Sequence, residues 1–188
     1  MARPREFDKE QALDAAIAVF RERGFEGSSA SMLTGAMKIG RQSLYDTFGD
    51  KWRLYCASVH RYAEAETRAH LAALRSGPRA VDGLKSMMER VVAEARQACL
   101  GIGSVCEFGR RSGELSAIHD AAAATLQTAI ARRVSEAQAE GDVSPDLDPL
   151  ETTGFLLSNI AAIRLAARGG ADDAHLAGLG RLALRALR

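Results

Sequence analysis

The stretch Gly24–Tyr55, GFEGSSASMLTGAMKIGRQSLYDTFGDKWRLY, constrains the fold more than any other part of the chain. It sets a short helix, a tight turn, a second short helix and a basic helix start in immediate succession. A helix-turn-helix needs these parts in this order: a bracing helix, a turn of about three or four residues, and a second helix whose free face can enter the major groove. Ser28 and Ser29 suit the N-cap of a helix ending at Met37, and their hydroxyls with the N–H groups of that helix start could hold a phosphate. Lys38-Ile39-Gly40 then supplies the turn. On an ideal helix from Arg41, Leu44 and Phe48 fall one turn apart on one face. Gln42, Ser43 and Asp46 point the other way, with Arg41 and Tyr45 flanking. The first face is expected to be core and the second free to touch bases.

Phe7 to Arg23 reads as the preceding helix, with Leu13, Ile17 and Phe20 on one stripe, an Asp8-x-x-Gln11 capping box and a stop at Gly24. Gly35, in the middle of the bracing helix, weakens it.

On these residues the chain resembles the tetracycline-repressor (TetR) family of bacterial transcription regulators. The resemblance rests on Gly24-Phe25, Ser28-Ser29, Leu33, Ala36, Ile39, Ser43-Leu44-Tyr45, Phe48-Gly49 and Lys51, with S-L-Y-x-x-F-G-x-K as the most specific run. Lys38 departs from it, standing where the family commonly has the turn glycine, so either a lysine adopts a left-handed conformation at about 1 kcal/mol or the turn differs slightly. It implies an all-α fold: a three-helix head (residues 1–52) for DNA and a larger helical bundle (residues 53–188) for ligand binding and dimerisation. It also implies a double-stranded DNA operator, a homodimer and a small-molecule effector as partners. Tyr45, Thr47, Ser28, Ser29 and Lys51 would set register on phosphates, while Gln42, Ser43 and Asp46 face bases. Gln42 suits adenine; Asp46 either accepts from a cytosine amino group, repels nonspecific DNA or holds Arg41 in place. Arg3 and Arg5 are further candidates for phosphate or minor-groove contacts.

Beyond Asp50 the sequence reads as helix throughout: Lys51–Leu74, Pro78–Cys99, Ser104–Arg110, Leu115–Glu140, Leu150–Arg168 and Asp173–Leu187, with breaks at glycine and proline clusters. The apolar content of 47% comes without a run of 18 apolar residues, and the net charge is only +1. No membrane partner is expected. The start MARPREFDKEQ is not basic-then-apolar, so a cytoplasmic location is expected.

Leu150–Arg168 is apolar nearly all round and must be buried on two sides. With the stripe of the last helix it nominates a dimer interface of Phe155, Leu156, Ile160, Ile163, Leu176, Leu179, Leu182, Ala183 and Leu187. Met87, Met88, Val91, Cys106, Phe108, His119, Phe155 and Asn159 are candidates for an effector pocket, against the plainer reading of Met and Phe as core. Cys56, Cys99 and Cys106 form no CxxC pair and read as small buried hydrophobes, with an oxidant response of Cys99 and Cys106 as the sharper alternative. No catalytic motif and no cofactor site is recognised. His60/Glu64 and Glu66/His70 read as solvated i,i+4 pairs. Two rivals remain: a helical protein-interaction module, and an enzyme with an unrecognised bundle site.

Overall fold

A computed structural model describes residues 7–188, so Arg3 and Arg5 lie outside the described residues. Among these residues there are nine helices and no strand: α1 (Lys9–Arg23), α2 (Ala30–Met37), α3 (Arg41–Phe48), α4 (Lys51–Leu74), α5 (Ala80–Ala93), α6 (Leu100–Phe108), α7 (Gly113–Ala139), α8 (Pro149–Arg168) and α9 (Asp173–Arg185). The chain divides into two compact units, residues up to 64 with 99–119, and residues 65–98 with 120–188. The divisions fall inside α4, after Glu64, between α5 and α6, after Ala98, and inside α7, after His119. The first unit thus takes in α6 and the start of α7, which an expected boundary at residues 52/53 leaves out.

Local chemistry sets most helix ends. Asp8 caps α1, its carboxylate accepting from Glu10 N and Gln11 N; Asp148 caps α8, accepting from Leu150 N and Glu151 N, with Pro149 at the first helical position. Glycine misleads at two places. Gly101 and Gly103 lie inside α6 rather than breaking the chain, because Cys99 caps that helix with its Sγ accepting from Ile102 N at 3.5 Å. The expected Pro78–Cys99 helix accordingly stops at Ala93, and α7 begins at Gly113.

The core of the first unit gathers Leu13, Ile17 and Phe20 of α1, Leu33 and Met37 of α2, Leu44 and Phe48 of α3, and Leu54, Tyr55 and Val59 of α4. Each such side chain removed from water contributes about 1.5–3 kcal/mol before entropy is charged against it. Cys56 sits in this core, where burial pushes its thiol up to about 12 and leaves it unreactive. Cys106, by contrast, is exposed, against the expectation of a buried residue.

The second unit packs α5, α8 and α9 on one another around Leu84, Met87, Met88, Val91, Leu156, Ile160, Ile163, Leu176 and Ala183, with Ile130 and Val134 of α7. α9 comes close to α5 because Gly180 has no side chain; a Cβ there would lie 2.9 Å from Val92 Cγ2. A polar cluster of Glu66, His70, Arg90 and Arg164 lies within this unit. Glu66 accepts from Arg164 Nη2 at 2.6 Å and Arg90 Nη2 at 3.2 Å, and the two guanidiniums hold its carboxyl below the usual range against the opposing effect of burial. His70 is buried beside them, and desolvation pushes it down to about 4. The Glu66/His70 pair is therefore not solvated as expected, whereas His60 and Glu64 are.

Candidate DNA-binding interface

The head presents α3 as its sequence requires. Leu44 and Phe48 are buried, and Arg41, Gln42, Tyr45 and Asp46 are exposed; Ser43 and Thr47 are half-buried beside them. The face that carries the nominated base-reading groups is thus held by two core anchors one turn apart. Asp46 is not held by Arg41: Gln42 Nε2 donates to Asp46 Oδ1 at 2.8 Å, fixing one amide hydrogen and leaving the Gln42 oxygen unused by that bond.

The turn before α3 settles the question raised by Lys38. Its backbone is left-handed, φ 55° and ψ 37°, and its N–H closes on Thr34 O. The turn is kept, and lysine adopts the conformation that glycine adopts freely.

At the α2 start the two serines separate. Ser29 is the N-cap, its Oγ accepting from Met32 N at 3.2 Å, and it is exposed. Ser28 is buried and its hydroxyl donates to Gly24 O at 2.6 Å. Ser28 is thereby corrected from a phosphate candidate to a brace of the α1–α2 linker. Lys51 is half-buried, with Nζ 4.2 Å from the Phe25 ring centroid. That cation–π contact restrains the ammonium at the edge of the head.

The linker carries a group that local sequence reasoning missed. The Glu107 carboxylate of α6 accepts from Phe25 N at 2.9 Å and Glu26 N at 2.8 Å, and Phe25 stacks edge-on against Trp52, Tyr55 and Phe108. Gly24, at φ 68°, leaves the room this requires, since a Cβ there would lie 2.9 Å from Glu107 Oε2. No local pattern announces a contact between residues 82 positions apart.

This head arrangement has counterparts. The family model described as "Bacterial regulatory proteins, tetR family" matches residues 12–57, and "Tetracyclin repressor-like, C-terminal domain" matches residues 78–182, more than half of the chain. The chain belongs to the TetR family. It is a DNA-binding transcriptional regulator. Its sequence is 29% identical over 178 residues to the HTH-type transcriptional regulator YezE of Bacillus subtilis (strain 168), covering 92% of each chain. It is 25% identical to the HTH-type transcriptional repressor ComR of Escherichia coli (strain K12), covering 90% of this chain and 84% of that one. A solved structure of a cysteine mutant of the TetR family regulator CifR with 26-bp double-strand operator DNA is similar at 28% identity and a TM-score of 0.81, covering 99% of this chain and all of that one.

The residues nominated for a TetR effector pocket are divided between the two units. Met87, Met88 and Val91 are fully buried in the second unit's core, where Phe155 is exposed and Asn159 donates to Phe155 O. Cys106, Phe108 and His119 belong to the first unit; His119 Nε2 lies 3.1 Å from the buried Ser104 Oγ. Cys99, which caps α6, and Cys106, within it, are seven residues apart along one helix, about 10 Å at 1.5 Å per residue, too far for an internal disulfide without unwinding it.

The interface candidates also divide. Leu156, Ile160, Ile163, Leu176, Ala183 and Leu187 are buried in the chain's own core, none more than 9% exposed. Phe155 and Leu182 are exposed, at 43% and 62%, and Leu179 is half-buried. Leu150 and Leu165, absent from the nomination, are exposed at 69% and 51%. The apolar surface left on α8 and α9 is thus narrower than the apolar sequence suggested.

Proposed function

We propose that this TetR family chain binds an inverted-repeat operator as a homodimer, represses transcription from it in the cytoplasm, and releases it when a small-molecule effector binds. Residues 1–52 form the DNA-binding part in this reading, and residues 53–188 the effector-binding and dimerising part. The observation that carries the reading is the exposed α3 face of Gln42, Tyr45 and Asp46 held over buried Leu44 and Phe48. CifR, whose solved structure holds operator DNA, supports it by similarity, and ComR is by name a repressor.

In this mechanism Gln42 and Asp46 read base edges, with Ser43 beside them. Ser29, Tyr45, Thr47 and Lys51 fix register on phosphates, joined by Arg41 and by Arg3 and Arg5 of the N-terminus. The Glu107 bonds couple α6 to the α1–α2 linker, so a shift of α6 must carry the linker along or break two charge-assisted hydrogen bonds. α4 and α7 continue from the first unit into the second and are covalent routes for the same signal.

The test is selection of bound fragments from a genomic library by the purified chain, at two salt concentrations. An enriched inverted repeat with a steep salt slope is expected, because phosphate neutralisation releases counterions. Absence of enrichment at both salts, with and without cell extract as a source of effector, would sink the reading in favour of a protein-interaction module.

A further inference from the structure

The second unit carries a groove of about 470 Å³ between the C-terminal end of α4 and α7. Leu71, Leu74 and Ala129 give it an apolar floor. Thr125 and Thr128 add carbon surface, since their hydroxyls donate to Ala121 O and Ala124 O within α7. The rim is charged, with Arg75, Arg132, Arg133 and Glu136. Glu136 accepts from Arg132 Nε at 2.8 Å and from Arg133 Nη1 at 2.7 Å, and these two guanidiniums hold its carboxyl below the usual range. Arg75 is exposed, and among the described residues it forms no ion pair with a carboxylate. Three guanidiniums facing one carboxylate leave two positive charges uncompensated on the rim, and Arg133 Nε is buried without an acceptor.

We propose that this groove binds a small amphiphilic carboxylate, its head on Arg75 and Arg132 and its apolar body along Leu71, Leu74 and Ala129. The volume falls within the roughly 300–1,000 Å³ of small-molecule sites, where an apolar lining is combined with a few oriented polar groups. Guanidinium forks match a planar carboxylate in bidentate geometry. A neutral ligand of the same shape leaves the rim charge unanswered, and a cation is repelled by it. A small inorganic anion answers the charge but leaves the floor in water. The ligand class rests on the groove alone; its role as effector rests on the function proposed above.

Isothermal titration of the full chain with octanoate, octan-1-ol and inorganic phosphate tests the site. Octanoate is expected to saturate one site per chain at least tenfold more tightly than octan-1-ol, and phosphate to show no saturation. The double variant Arg75→Gln/Arg132→Gln, both at exposed positions, should weaken octanoate at least tenfold with an unchanged circular dichroism spectrum. Ala129→Glu, which sets a carboxylate on the floor, should do the same independently. No saturation by octanoate, or equal affinity in the double variant, overturns the proposal. Operator titration of the same samples separates the two readings. Loss of operator affinity with octanoate in the parent but not in the double variant supports the groove as effector site. Intact operator binding with no octanoate binding overturns the groove and leaves the DNA-binding function standing.

Discussion

Glu107 on α6 accepts hydrogen bonds from the backbone N–H groups of Phe25 and Glu26, at 2.9 and 2.8 Å, and so ties the linker between α1 and α2 to a helix 82 residues further along. Hydrogen bonds to a charged acceptor are worth roughly 1.5–3 kcal/mol when desolvated and less where water competes, as it does at exposed Glu26. Glu107→Ala is therefore expected to destabilise the chain by about 1–3 kcal/mol and to weaken operator binding. Urea unfolding and operator titration check both; unchanged values in both would remove Glu107 from the coupling route.

Two residues of the head are locally unfavourable, and each gives a stabilising substitution. Gly35 is exposed in α2 and nothing lies within 4 Å of where its Cβ would be. Gly35→Ala should therefore raise stability by about 1 kcal/mol through helix propensity and lower unfolded-state entropy. Lys38→Gly should relieve the strain of a left-handed lysine by about 1–2 kcal/mol and lose part of that to the entropy of an unfolded glycine. The net gain is then about 0.5–1 kcal/mol. Urea midpoints of the two variants read these gains, and a loss of stability in either would show that the backbone differs there.

Base reading and phosphate contact are separable by salt and sequence. Gln42→Ala should relax preference at one or two base pairs by about 1–3 kcal/mol, and Lys51→Ala should weaken all DNA alike and flatten the salt slope by about 1. Asp46→Ala frees the Gln42 amide from its 2.8 Å bond and removes a negative charge from the DNA-facing surface. It should raise affinity for random fragments while lowering discrimination. Titration of an operator and its single-base variants at two salt concentrations separates the three.

How far the sequence foretold this molecule depends on the range of each interaction. The α3 face and the Lys38 turn were legible because they are written in residues three or four apart. Ser28 was misplaced because adjacent serines are equivalent candidates for an N-cap until one is seen to be buried against Gly24 O. The interface nominations divide into buried and exposed residues for a different reason. An apolar stripe on α8 or α9 says that a residue is covered, not whether its own chain or a partner covers it. The Glu66–Arg164 and Glu107–Phe25 contacts join residues 98 and 82 positions apart, which no periodicity can signal.

His70 gives the fold a pH dependence with a defined sign. Burial lowers its folded value to about 4 from an ordinary 6.5, so between these values the unfolded chain binds more protons than the folded one. Stability is full above about 6.5 and is lost as pH falls toward 4, by about 2 kcal/mol between pH 7 and 5 on the size of this shift. The lowered Glu66 carboxyl adds its own loss only below its ordinary 4.5. His70→Gln should therefore flatten urea midpoints between pH 7 and 5, and a slope as steep as the parent's would place the titrating group elsewhere.

The exposed apolar residues of α8 and α9 distinguish assembly from folding. Leu165 and Leu182 are 51% and 62% exposed, so a charge there meets water in the isolated chain and should change its stability by no more than about 0.5 kcal/mol. Leu156 is fully buried, and Leu156→Ala should cost about 2–5 kcal/mol whether or not a partner is present. If α8 and α9 form the dimer face, Leu165→Glu/Leu182→Glu should sediment as a folded monomer and lose operator affinity steeply, because an inverted repeat is held by two heads at once. A variant that still sediments as a dimer would move the interface to another surface of the chain.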